Sequence, residues 1–208
     1  VPLALVAVVP QVLVVNPRKL PGDFKAFMEA VRKAPGQYNY GSAGGGTSHH
    51  LAGELFKIQS KTFITHIPYR GAGPALQDLM AGNVDMMFDG LGSSAQHIKS
   101  GRVKALMVSG AKRNPSFPDV PCAAEVGLPD YTVTTWYGLW APRGTPAEVQ
   151  ARILDEVRRV AVTDDIKTAW LANGADFPNV TGAAFGSFVN TEIRRWASVV
   201  KASGAKLD

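Results

Sequence analysis

From Val12 onward, short runs rich in Val, Ile and Phe alternate with segments whose apolar residues recur at three- and four-residue spacing. The first pattern has the length of a strand and the second the period of a helix. Together they predict strands joined by crossover helices, an α/β fold with a mostly parallel sheet. Strands are predicted at 11–15, 37–42, 63–68, 84–89, 103–109 and 132–141. All but the last are short and carry few charges, as strands covered on both faces do. The opening run from Val1 to Val15 is interrupted by Pro10 and Gln11, well short of the ~20 apolar residues that a membrane helix needs, and reads as buried strand.

The helical segments carry their own start and stop signals. Asp23 precedes Phe24, Phe27, Met28 and Val31, and Gly73-Pro74 places a proline in a first turn before Leu76, Leu79 and Met80; Gly36 and Gly82 supply the stops. Thr145-Pro-Ala-Glu148 has the spacing of a capping box, in which hydroxyl and carboxylate satisfy backbone donors reciprocally, with Val149, Ile153 and Val157 forming one face behind it. A last helix is predicted from about 181 to 203, with Phe185, Phe188, Val189, Ile193, Trp196 and Val200 as an apolar stripe that belongs to the core, and Gly204 as cap.

Composition changes this picture little. Of 208 residues, 46% are hydrophobic and 19% charged, as in globular chains, and 21 Gly and 14 Pro are spread singly, with no linker or repeat. The net charge of +5 comes from scattered basic residues without the basic stripe and interleaved aromatics of nucleic-acid binding, so no nucleic-acid partner is expected. One cysteine, Cys122, excludes an internal disulfide and an all-Cys metal site. None of His49, His50, His66 and His97 stands in a metal-binding spacing, and no metal or cofactor is expected.

The segment most able to carry chemistry is Tyr38-Asn-Tyr-Gly-Ser-Ala-Gly-Gly-Gly-Thr-Ser-His-His-Leu51, a strand running through a glycine-dense turn into a helix. The first turn of a helix has backbone N–H groups without internal partners and a partial positive charge, and glycines let a ligand come close. Ser42, Thr47 and Ser48 add hydroxyls. No Lys follows the glycines, and His49 stands where a dinucleotide site needs its third glycine, so neither nucleotide pattern fits. The alternative is a turn with a helix cap. Asp89 ends a predicted strand ahead of a helix starting at Ser93 or Ser94, where it either meets a ligand amine or hydroxyl or caps the turn. Tyr69-Arg70-Gly71 follows the strand ending at Pro68 and either lines the same crevice or packs with Arg70 solvated. His50 is expected to pack at its helix N-terminus, and His66 to face a neighbouring strand. A hydrolase built on Ser42 with His49 or His50 lacks the GxSxG elbow.

The run from Tyr40 to Leu51 resembles the glycine-loop signature of the Bug (TctC) family of periplasmic solute receptors. Further matches follow in order: His66-Ile-Pro-Tyr-Arg-Gly-Ala-Gly-Pro-Ala-Leu-Gln-Asp-Leu79, Gly82-Asn-Val-Asp-Met-Met-Phe-Asp89, Pro118-Asp-Val-Pro121 with Glu125-Val-Gly127, and Trp136-Tyr-Gly-Leu-Trp-Ala-Pro142. The resemblance implies a two-lobed, type II periplasmic-binding-protein fold that closes on a dicarboxylate, tricarboxylate, amino acid or aromatic acid and hands it to membrane transporter subunits of a tripartite system, without catalysis.

By the same resemblance the ligand-binding residues are Ser42, Ala43, Gly44, Gly46 and Thr47 in one carboxylate-gripping loop, Tyr69 and Gly71 in the pocket wall, and Asp89 near the distal end of the ligand. Residues 12–134 would form the second lobe. Residues 1–11 and 135–208 would belong to a first lobe lacking the family's N-terminal third, which holds the other gripping loop; with part of a sheet missing, poor solubility of this chain alone is expected. A periplasmic monomer without direct membrane insertion is implied, its export signal upstream of residue 1. The same fold also serves as the effector domain of transcriptional regulators, a reading that requires an upstream helix-turn-helix.

Overall fold

A single strand, β1 (Pro2–Val15), carries the whole apolar opening of the chain in the computed structural model, which describes residues 1–204. The apolar opening, expected as buried strand, and the predicted 11–15 are one strand because Pro10 does not interrupt it. Pro10 pairs with Thr134 at the very end of one ladder, where a missing N–H costs least. There β1 changes neighbours. Its first part pairs with β6 (Thr134–Trp140) and β7 (Val180–Thr181), and from Gln11 onward it pairs with β4 (Met86–Gly90) and β5 (Lys104–Val108).

The crossing is tied by backbone and side chain together. The Gln11 amide donates to Val133 O at 3.1 Å and Ser109 Oγ at 3.0 Å, and the Ser109 amide donates back to Gln11 O at 2.8 Å.

With β2 (Asn39–Ser42) and β3 (Thr65–Pro68), the strands beyond the crossing stand in the order β3-β2-β4-β1-β5. β2 runs parallel to β3 and β4, and β1 lies antiparallel to both β4 and β5, so four of the five strands point one way and β1 alone opposes them. Helices cover both faces. Leu13 and Val15 join a core with Phe24, Phe27, Met28 and Val31 of α1 (Phe24–Lys33) and Ala52 and Phe56 of α2 (Ser48–Ser60). Val12 and Val14 point the other way, to Ala75, Leu76 and Leu79 of α3 (Ala72–Ala81) and Leu91 and Ala95 of α4 (Leu91–Lys99). Burial on both faces is why β1 is apolar without alternation from Val12 to Val15. Each such Val or Leu contributes roughly 1.5–3 kcal/mol.

Several boundaries follow the expected signals. Asp23 caps α1 by accepting from the Ala26 amide at 2.9 Å, and Gly82 and Gly204 end α3 and α7 (Gly182–Ser203). Two do not. α5 (Ala147–Ala161) takes Pro146 as N-cap, one residue out of frame with the capping box; the Thr145 hydroxyl instead donates to Pro142 O at 3.0 Å, closing the preceding turn. α4 starts at Leu91, ahead of Ser93 and Ser94, whose hydroxyls are taken by Asp89. A further helix, α6 (Asp164–Ala172), had no clear signal.

The part built on β6, α5, α6 and α7 keeps much apolar surface open. Phe185 is buried, but Ile193 is 64% exposed, Val200, Val149 and Ile153 are also exposed, and Tyr137 and Trp140 on β6 are 55% and 50% exposed. The stripes on α5 and α7 are therefore only partly core, since no described element faces their outer side. No described helix is long and apolar enough to cross a membrane. An uncovered apolar surface of this kind drives association. Residues 1–208 expressed alone are expected to elute larger than 22.2 kDa on gel filtration and to enhance the fluorescence of a hydrophobic dye; a clean monomer with no dye binding would contradict the exposed face.

Candidate functional site

The glycine-dense turn lies where β2 ends and α2 begins, at the C-terminal end of β2 and beside the crossing to β6. α2 has no acidic residue in its first turn, so the partial positive charge of its N-terminus is left uncompensated within the helix. Thr47 is the N-cap and its hydroxyl bridges the turn, donating to Gly44 O at 2.7 Å and facing the His50 amide at 3.5 Å. Gly44, at φ +128°, sits in a region closed to ordinary side chains.

Not every amide of the turn is free. Gly44 N–H donates to Ser42 Oγ at 3.1 Å and Gly46 N–H to His50 Nδ1 at 3.1 Å, whereas the amides of Ala43 and Gly45 donate to no acceptor among the described residues. Ser48 and His49, as the first residues of α2, have no carbonyl a turn earlier within the helix. The free donors therefore alternate with the ones that shape the turn.

The expected pocket wall lies alongside. The Tyr69 amide donates to Ser42 O at 3.0 Å, and its carbonyl lies 3.4 Å from where a Gly44 Cβ would stand. The Tyr69 hydroxyl donates to Asp78 Oδ2 at 2.7 Å; burial, then this bond, push the phenol up to about 12. Gly71 forms the N-cap of α3 without a side-chain bond, and Arg70 is exposed.

Ser42 and Asp89 are placed differently from a free ligand contact. Ser42 is fully buried, and its hydroxyl meets His66 Nε2 at 2.6 Å as well as the Gly44 backbone. The histidine beside Ser42 is thus His66, neither His49 nor His50, and a nucleophile with no exposure cannot reach a carbonyl. Asp89 has 0% exposure; Oδ2 accepts from Ser93 at 2.7 Å and Ser94 at 2.6 Å, and Oδ1 lies 3.0 Å from His49 Nε2. Its capping role is filled, and the side chain that stands between it and the α2 N-terminus is His49.

Two features escaped sequence reasoning. One is a ring stack in which His50 and His66 lie 3.9 Å apart and 6° from parallel, with Tyr40 also stacked on His66 at 5.0 Å. Burial, ahead of all other causes, lowers both imidazoles, His66 to about 4. The other is a polar junction to β6. Ser48 Oγ and Gln11 Nε2 each lie 3.3 Å from Thr135 Oγ1, while Gln11 Oε1 and His49 Nδ1 are buried with no partner among the described residues. Leaving such an atom unpaired costs about 1–3 kcal/mol. The spacing of His66 along β3 was a faint signal for the stack, because β2 and β3 pair Tyr40 with His66 in register.

Comparisons with known proteins give the site a context. The sequence pattern described as "Tripartite tricarboxylate transporter family receptor" matches residues 1–205. A protein from the tcbD-tcbE intergenic region of Pseudomonas sp. (strain P51) is 38% identical over 96% of this chain and 60% of its own length. Among solved structures, R. palustris Rpa4515 with adipate superposes at a TM-score of 0.91 with 32% identity, over 98% of this chain and 68% of that one. MatC from Rhodopseudomonas palustris with bound malate does so at 0.87 with 34% identity, over 96% and 69%. The chain thus spans about 60% of the length of its curated relative.

Proposed function

Since the chain belongs to the tripartite tricarboxylate transporter receptor family, whose members are substrate-binding receptors and not enzymes, we propose that it is the carboxylate-recognising part of a periplasmic receptor. Its cargo is a small di- or tricarboxylate, amino acid or aromatic acid, and it delivers that cargo to the membrane subunits of a tripartite uptake system. The observation that carries this reading is the α2 N-terminus: a positive helix end with no acidic residue in its own first turn, overlaid by a turn whose Ala43 and Gly45 amides have no acceptor among the described residues. A carboxylate there would accept from these amides, with Ser42, Gly44, Gly46 and Thr47 fixing the shape of the turn and Tyr69 and Gly71 walling it.

In this reading residues 12–134 are one lobe, residues 1–11 and 135–208 belong to the other, and β1 and the return through Thr134 are the hinge. The unpaired Gln11 Oε1 and His49 Nδ1 lie beside the junction of Ser48 with Thr135, where a ligand group or water would satisfy them, and Asp89 acts through His49. Ligand bridging the lobes favours the closed form by its differential affinity, and the closed form is what a membrane partner reads.

Calorimetric titration of the full-length protein with adipate, malate, citrate, glutamate and benzoate is expected to give a saturable one-to-one isotherm with at least one acid, and small-angle scattering a smaller radius on binding. Silence across the panel would overturn the carboxylate assignment, and binding without compaction would overturn hinge closure.

A further inference from the structure

A turn with three consecutive glycines has many conformations to lose, so something must hold its ends if it is to present amides to a ligand. In this protein both ends are fastened to the same object. Ser42, where the turn leaves β2, is joined through Oγ to His66 Nε2 at 2.6 Å, and Gly46, just before α2, donates its amide to His50 Nδ1 at 3.1 Å. The two imidazoles lie face to face at 3.9 Å, Tyr40 is stacked on His66, and the Tyr40 hydroxyl is itself anchored to Glu54 Oε1 at 2.7 Å. We propose that the stacked His50–His66 pair is the positioning device of the glycine turn, and that the turn keeps its carboxylate-binding shape only while the His50 ring is neutral. The proposal rests on the carboxylate reading of this turn given above.

The chemistry of the Gly46 bond sets the requirement, since the Ser42 hydroxyl can donate to His66 or accept from it and stays paired in either state. A backbone N–H only donates, so His50 Nδ1 must offer a lone pair to Gly46, which places the proton of the neutral ring on Nε2. A second proton, on Nδ1, would set two donors against each other and release Gly46. A charge on either ring also opposes a charge on the other across 3.9 Å. The groups facing the pair are Glu54, whose Oε1 lies 3.9 Å from His50 Nε2, Lys57, which lies 2.9 Å from both Glu54 oxygens, and the Tyr40 hydroxyl. Glu54 favours an imidazolium and Lys57 offsets it, while burial disfavours the charge on both rings. Because burial lowers the His50 imidazole from its ordinary value, the grip is whole above about pH 6.5 and is lost as the pH falls through the lowered value.

Two readouts separate this from a merely structural role. In the ligand-free full-length protein, Gly46 amide exchange, corrected for its intrinsic pH dependence, is followed by NMR from pH 7 to pH 4 together with the imidazole nitrogens. Protection is expected to collapse at least about tenfold as His50 titrates, and to lose that step in His50→Asn, whose Oδ1 accepts without titrating. At pH 7, His50→Leu is expected to bind adipate and malate at least about tenfold more weakly than the parent, with His50→Asn recovering most of the loss. Protection that persists through the His50 titration, or parent-like binding by His50→Leu, overturns the proposal. If His50→Leu does not fold, the exchange experiment on the parent decides alone. If the parent binds neither acid, the carboxylate reading loses those ligands while the exchange result still judges the clamp.

Discussion

Replacing Gly44 by alanine is expected to weaken carboxylate binding by the full-length protein about 5- to 150-fold while leaving the fold intact. The residue adopts φ +128°, where an L side chain is strained by roughly 1–3 kcal/mol, and the fold-change is that strain read as affinity. Space is not the obstacle, since an added Cβ would find Tyr69 O at 3.4 Å and the Thr47 methyl at 3.9 Å. Alanine therefore drives the backbone to another conformation. That movement pulls the Gly44 carbonyl from the Thr47 hydroxyl and its amide from Ser42 Oγ, the two bonds that set the direction of the neighbouring Ala43 and Gly45 amides. The turn lies outside both hydrophobic cores, so the melting temperature should move by only a few degrees. Titration with the acid that binds the parent best, alongside a thermal melt, checks both halves. Parent-like affinity would show that this turn does not grip the ligand.

What could be read from the sequence was what neighbouring residues decide among themselves. Asp23 ahead of an amphipathic run, Gly204 behind another, and a strand passing through glycines into a helix are local signals, and α1, α7 and the α2 N-terminus lie where those signals put them. The opening run from Val1 to Val15 was legible as buried strand, but its change of neighbours at Pro10 and Gln11 was not, because the pairing with β6 joins residues more than a hundred positions apart. The Thr145 box failed for a smaller reason of the same kind, a competing carbonyl at Pro142 within reach of the hydroxyl.

At the site the division is similar. The sequence pointed to the turn, but not to which amides are spent within it. That depends on His50 reaching back four residues and His66 arriving from the next strand. Asp89 stands out in the sequence without its partners, which are Ser93, Ser94 and His49 around a fully buried carboxylate. The histidines had no metal or triad spacing, so nothing local marked their stacking.

The largest effect on stability is expected from a residue with no contact to ligand. Gly53→Ala should destabilise the protein by about 2 kcal/mol or more, lowering the melting temperature by roughly 4–8 °C for a chain of this size. An ideal Cβ at Gly53 would stand 2.3 and 2.4 Å from two Tyr40 ring carbons, far inside van der Waals contact. Helix propensity alone predicts the opposite sign, a gain of about 1 kcal/mol for alanine in α2. Overlap wins because Tyr40 has nowhere to go: it is fully buried, edge-on to Phe88 at 5.8 Å, stacked on His66 and bonded to Glu54. Any retreat of the ring disturbs His66, so ligand affinity should fall together with stability, which a simple packing defect elsewhere in the core would not cause. Tyr40→Leu in the Gly53→Ala background opens room for the methyl, and its cost should be clearly less than the sum of the two single changes. Additive costs, or a Gly53→Ala variant as stable as the parent, would mean that α2 does not rest on Tyr40, and with it that the ring stack under the turn is misplaced.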